Sequence, residues 1–227
     1  DLAALGGRLA SALAAPGSAA AVVASLAALA SGATLSAAYV FHLGLPRQDA
    51  IIFAMFCGTV ALFAAAPSLA PRAGRTAALA LRAAQAGILV DTLAATYLVQ
   101  RPFYDPRLPE AWIPIAISML GACLLGLGLL IVGLFTLRRG LLTRWQFAPL
   151  LLGLATLAGM ANTALLLAAQ PLSTPGPRFP ADQLSPSLPL VTVFLTVAGW
   201  LALGIALWPA AASVQPAPAR GSPSVQP

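Results

Sequence analysis

Lysine is missing from this chain of 227 residues; histidine occurs once, cysteine twice, and Asp and Glu together six times. Only 8% of residues are charged, where a soluble globule carries about a quarter. There are too few ionic groups to coat a water-soluble core. The same shortage excludes chemistry. One histidine rules out bis-histidine haem within a single chain, and no Cys/His spacing suits a zinc or other metal site, so no cofactor is expected. Cys57 and Cys123 each lie inside an apolar run and read as small buried hydrophobes, not as a disulfide framework.

What the chain does have is apolar length: 59% of it is hydrophobic. A helix needs about 20 apolar residues to cross the hydrocarbon of a bilayer, so about six crossings fit. The expected fold is all-α, a polytopic membrane helical bundle. Its helices are predicted at 18–42, 50–70, 77–99, 112–136, 147–169 and 188–208. Residues 1–17 form a lead-in, interfacial or truncated, and 18–208 form the transmembrane domain. The Pro/Ala/Ser-rich stretch 209–227 has no apolar periodicity and is expected to be disordered. A cleaved signal peptide fits less well, because the first apolar run continues for more than 20 residues.

All twelve cations are arginines, and all but Arg82 fall between the apolar runs. One side of the predicted topology collects Arg8, Arg72, Arg75, Arg82, Arg138, Arg139, Arg144 and Arg220 against Asp1 alone. The other holds Arg47, Arg101, Arg107 and Arg178, balanced by Asp49, Asp105, Glu110 and Asp182. Positive charge is retained in the cytoplasm during insertion, so both termini are expected there. The basic balance therefore reports orientation, with no nucleic acid implied. Trp112 and Tyr97 at one edge and Trp145 and Trp208 at the other fit interfacial belts. Trp200 falls mid-helix and is expected to fill the bundle or face lipid. The proline-rich connections at 100–111 and 170–187 read as plain connectors, with stiff lids as the alternative. Arginine without lysine and abundant alanine match the compositional bias of high-GC bacteria, so a bacterial plasma membrane is the expected location.

One acid is left over. Asp91 lies near the middle of the third run, and burying a carboxylate in the membrane uncompensated costs several kcal/mol. Its neighbours on one helix face, Ala84, Gly87, Ala94 and Ala95, are small and should face another helix. Arg82, nine residues earlier, is turned away by about half a circle. Thr34, Ser118, Asn162 and Thr196 fall at similar depth on other helices, and an Asp91 to Asn162 contact is expected. This group reads either as a water-accessible proton or cation site or as a structural network. His42, at the outer end of the first run, is a candidate pH-sensitive group. In the fourth run Gly121 with Gly128, and Gly126 with Gly133, each line one face and invite close helix approach.

Catalysis is poorly served. An aspartyl pair needs a second membrane acid, and a Ser/His pair needs His42, which stands at the membrane edge. The sequence therefore points to a non-enzymatic membrane protein, first an accessory, assembly or sensing bundle, alternatively a small secondary transporter or proton-coupled carrier using Asp91. Its expected partners are the lipid bilayer and other membrane subunits or further copies of itself, with no substrate specified.

Overall fold

The computed structural model describes residues 18–40, 47–99, 109–140, 142, 145–169 and 190–212. The lead-in 1–17, His42, the tail beyond 212 and, of the proline-rich connections, 100–108 and 170–187 lie outside these; Pro109, expected in the first connection, opens a helix instead. Six helices account for nearly all of the described chain, with no strand among those residues. They are α1 (Ser18–Leu35, continued by a π-helical turn Ser36–Val40), α2 (Arg47–Ala73), α3 (Arg75–Val99), α4 (Pro109–Arg139), α5 (Ala148–Ala169) and α6 (Leu190–Ala212). Five are long and apolar enough to cross a membrane. In α5 the apolar stretch Ala148–Ala164 is shorter. The chain is thus an all-α membrane-type bundle, with α2 and α4 extending past both predicted limits and α6 running on to Ala212.

Backbone chemistry sets the boundaries. Gly74 separates α2 from α3 with φ of 83°, a left-handed conformation that glycine adopts without a Cβ penalty. Pro109 opens α4 at a position where a missing N–H costs nothing. Arg138 and Arg139 lie in the last turn of α4, where cations complement the helix dipole. The first predicted run is interrupted as an α-helix at Ser36. Just before and at that change, Thr34 and Ser36 donate to the carbonyls of Ala30 and Gly32, satisfying acceptors where the helical ladder widens.

Each helix packs antiparallel on the one before it, and α6 closes on α1. Named contacts fix this ring. Ser31 Oγ donates to Ala54 O across α1 and α2, and Ser25 Oγ donates to Gly204 O across α1 and α6, at 2.9 and 2.6 Å. Gln85 Nε2 donates to Leu62 O between α3 and α2. The α4 glycines serve two neighbours: Gly121 and Gly128 meet α3 at Gly87 and Ala84, while Gly126 and Gly133 meet α5 at Leu157 and Leu150. The thinnest seams are α2 with α3 and α5 with α6. They divide the ring into two three-helix groups, α3–α4–α5 and α6–α1–α2.

The two ends differ. One carries the Gly74 turn, Arg75, Arg138, Arg139 and the Gly140 turn, and is called the basic end here. Its half of the bundle is filled: Leu62, Leu81, Leu129, Leu152 and Leu207 belong to one continuous buried core. Thr136, fully buried, bonds Gly133 O and Gln146 O and ties the α4–α5 turn down. Outward-facing large apolar side chains such as Phe53, Phe56, Leu79, Leu93 and Leu120 are exposed around the ring, as lipid contact requires. Trp112, Trp145 and Trp208 are exposed near helix ends.

Candidate functional site

Opposite the filled half lies a partly open cavity of about 290 Å³ to which all six helices contribute. Asp91 of α3 and Ser118 of α4 form one wall. The α3–α4 seam explains how they meet. At Gly87 and Gly121 the two backbones approach so closely that a Cβ on Gly121 would lie 2.7 Å from Asp91 N and 2.8 Å from Gly87 O. Ser118 stands one turn before Gly121 and is thereby brought against the carboxylate. Its Oγ donates to Asp91 Oδ1 at 2.5 Å.

That bond is unusual for this protein's hydroxyls. Thr92, Thr96, Thr156, Thr163 and Thr196 all donate to the carbonyl four residues earlier on their own helix. Ser118 instead donates across a seam to a side chain. Ser118 is the hydrogen-bond partner of Asp91 among the described residues, and no arginine among them forms an ion pair with it. Arg82 is exposed on α3.

The floor lies toward the basic half. Trp200, 5% exposed, is a cavity-lining core residue and does not face lipid. Its six-membered ring fits against Gly58, where a Cβ would come within 2.6 Å of Cζ2, and Ile88 closes on the same glycine. The absence of a side chain on Gly58 makes room for the indole. The walls are mainly apolar and flexible: Met55, Met119 and Met160, which are all the methionines of the chain, line the cavity from three different helices. Thr156, Thr163, Thr192 and Thr196 add hydroxyls along α5 and α6.

Of the residues singled out from sequence, Asp91, Ser118 and Thr196 come together on this cavity. Thr34 does not line it and bonds within α1. Asn162 is half-buried and outside the lining, with interactions of its own. The expected contact of Asp91 with Asn162 is replaced by the bond to Ser118, because α4 stands between α3 and α5 in the ring. His42 lies outside the described residues. Sequence reasoning did not single out the three methionines, and it left Trp200 between the bundle interior and lipid. The methionine signal was present as rarity, three in the whole chain, each near the same depth of its run.

Both cysteines are free, Cys57 buried and Cys123 half-buried. Among the described residues no three His, Cys, Asp or Glu side chains converge as a metal site. Pocket geometry of this kind, apolar with a few placed polar groups, is what small-molecule sites share. No protein family, no curated protein and no solved structure matches the chain.

Proposed function

We propose that this multi-pass membrane protein is a small secondary carrier whose solute site is the central cavity at Asp91. One observation carries the reading: Asp91, the mid-span carboxylate among the described residues, borders a cavity lined by all six helices, where a purely structural network would be sealed by packing. The division of the ring supports it further. Asp91 and Ser118 belong to one three-helix group, and Trp200, Thr192 and Thr196 to the other, so the cavity lies between groups joined by the thinner seams. Rocking of one bundle against another around a central site is a recurrent way of exposing it to alternate faces. The filled half at the basic end then acts as the closed gate. By the positive-inside argument that end is cytoplasmic.

The accessory or sensing reading is favoured by a different feature. Glycine contacts lock α3, α4 and α5 closely, and a bundle of that kind serves as a rigid scaffold. Accessibility separates the two. In a Cys57→Ser/Cys123→Ser background, the carrier reading expects Thr196→Cys to react with a membrane-impermeant thiol reagent from either face of oriented vesicles. Thr59 and Thr92 hydroxyls stand 3.3 Å apart across the α2–α3 seam; a T59C/T92C disulfide would confine that reactivity to one face. Reaction from a single face in the unlocked protein would leave a receptor or scaffold and remove the carrier.

A further inference from the structure

The cavity has a chemistry that selects among solutes, and we infer that its ligand is a small lipophilic cation, an apolar body bearing one protonated amine. The inference rests on the cavity being a solute site, as proposed above, and adds the class of solute. It begins with the unused half of the carboxylate. Ser118 occupies Oδ1 of Asp91, and among the described residues no donor reaches Oδ2. No buried side-chain oxygen in the described structure is left without a partner. Oδ2 therefore borders open space, and the cavity is the space that Asp91 lines. An acceptor-only group in a low-dielectric wall is complemented by a donor that carries positive charge.

The remaining lining excludes other ligand classes. No arginine lines the cavity, so an anion would meet the carboxylate with nothing to hold it. A sugar needs many donors and acceptors, whereas five of the lining hydroxyls outside the Asp91 wall belong to Ser31 and four threonines. Ser31 already donates to Ala54 O, and Thr156, Thr163 and Thr196 to carbonyls of their own helices. A bare metal ion needs several hard oxygen ligands converging at short range, and one carboxylate among methionines and threonines does not provide them.

The apolar wall fits an organic body. Thioether side chains are flexible and polarizable and adapt to ligand shape; Met55, Met119 and Met160 approach from three helices. Trp200 and Ile88 both meet Gly58, Ile88 stands one turn before Asp91 on α3, and all three side chains line the same cavity. An indole face attracts a cation electrostatically, most strongly where water is excluded. Size sets the upper limit. Drug-sized ligands occupy pockets of about 300–1,000 Å³, so a cavity of about 290 Å³ takes one aromatic ring with a short tail.

The test uses three probes of nearly one shape: 4-phenylbutylamine, 4-phenylbutanol and 4-phenylbutyrate. Each is titrated at pH 7 into the purified full chain in detergent by equilibrium dialysis, with uptake by empty micelles subtracted. The amine should bind at least tenfold more tightly than the alcohol, and the carboxylate should bind least. Asp91→Asn should abolish the preference for the amine, which then binds no more tightly than the alcohol. If the unaltered protein binds alcohol and amine equally, or the carboxylate best, the cation assignment is overturned without any variant having to fold. Binding at equilibrium does not require alternating access. A chain that prefers the amine but exposes Thr196 to one face only keeps this inference and loses the carrier; one that alternates but prefers the alcohol does the reverse.

Discussion

Ser118 Oγ donates to Asp91 Oδ1 across the closest seam of the ring, where Gly87 and Gly121 let α3 and α4 touch backbone to backbone. The bond couples a packing device to the one acid of the membrane region. Small residues bring the helices together, and their approach puts a hydroxyl within reach of a carboxylate that water would otherwise solvate.

The first prediction concerns that coupling. Hydrogen bonds between membrane helices contribute about 0.6 kcal/mol on average and up to about 1.7, and bonds to charged groups lie toward the upper end. Ser118→Ala and Asp91→Ala, each of which removes the bond, should show a coupling of about 1 kcal/mol between them in reversible unfolding in mixed micelles. Additive effects would mean that the two groups do not interact in the folded protein.

Gly121 gives a second. A methyl there would sit 2.7 Å from Asp91 N and 2.8 Å from Gly87 O, both backbone atoms that cannot swing aside. Gly121→Ala should lower stability by about 1–3 kcal/mol, the usual cost of overpacking. It should also abolish the additional effect of Ser118→Ala, because separated helices no longer bring the hydroxyl to the carboxylate. Ala158→Val, on an exposed position of α5, should be nearly neutral in the same melting assay.

At the basic end, Thr136 is fully buried and its hydroxyl reaches Gln146 O at 2.9 Å and Gly133 O at 2.7 Å. Thr136→Val keeps the shape and removes the hydroxyl's bond to the part-buried Gln146 carbonyl, at a cost of about 0.5–1.5 kcal/mol. Hydrogen exchange should quicken selectively at the amide of Ala148, which closes on Trp145 O in the same turn. Unchanged exchange there would show that the turn is held by other contacts.

Orientation can be read directly. A phosphatase reporter that is active only outside the cytoplasm should be silent when inserted at Gly140 and active when inserted between residues 170 and 189. Replacing Arg72, Arg75, Arg138, Arg139 and Arg144 with alanine should give a mixture of both orientations, since these arginines supply most of the charge bias. Activity at Gly140 in the unaltered chain would invert the assignment.

Much of the architecture was legible in the residues. The apolar runs expected at 50–70, 77–99 and 112–136 were legible as helices, because backbone groups in hydrocarbon must be satisfied within the segment, while the extra turns from Arg47 to Ala73 and from Pro109 to Arg139 were not. The pairing of Gly121 with Gly128 and of Gly126 with Gly133 announced two close faces on α4, since residues seven apart return to the same side of a helix. Which neighbour each face met was not legible. Periodicity gives a direction around one helix and carries no information about which of five other helices lies there.

The same limit applied to the candidate site. Asp91 stood out by scarcity, and Ser118 and Thr196 by depth, yet Thr34 and Asn162 shared that depth and lie off the cavity. Depth is a single coordinate. The order of helices around the ring decided that α4 stands beside α3, giving Asp91 a serine and separating it from α5. It also turned Trp200 and all three methionines inward.

The sequence alone therefore determined that this protein lives in a bilayer, roughly where it crosses, and the charge bias from which its orientation is expected, because these depend on sums of transfer free energies and charges along one chain. Only the tertiary structure decided that its sparse polar groups and methionines share a cavity, because that depends on rotations and neighbours among six helices, which no property of a single segment encodes.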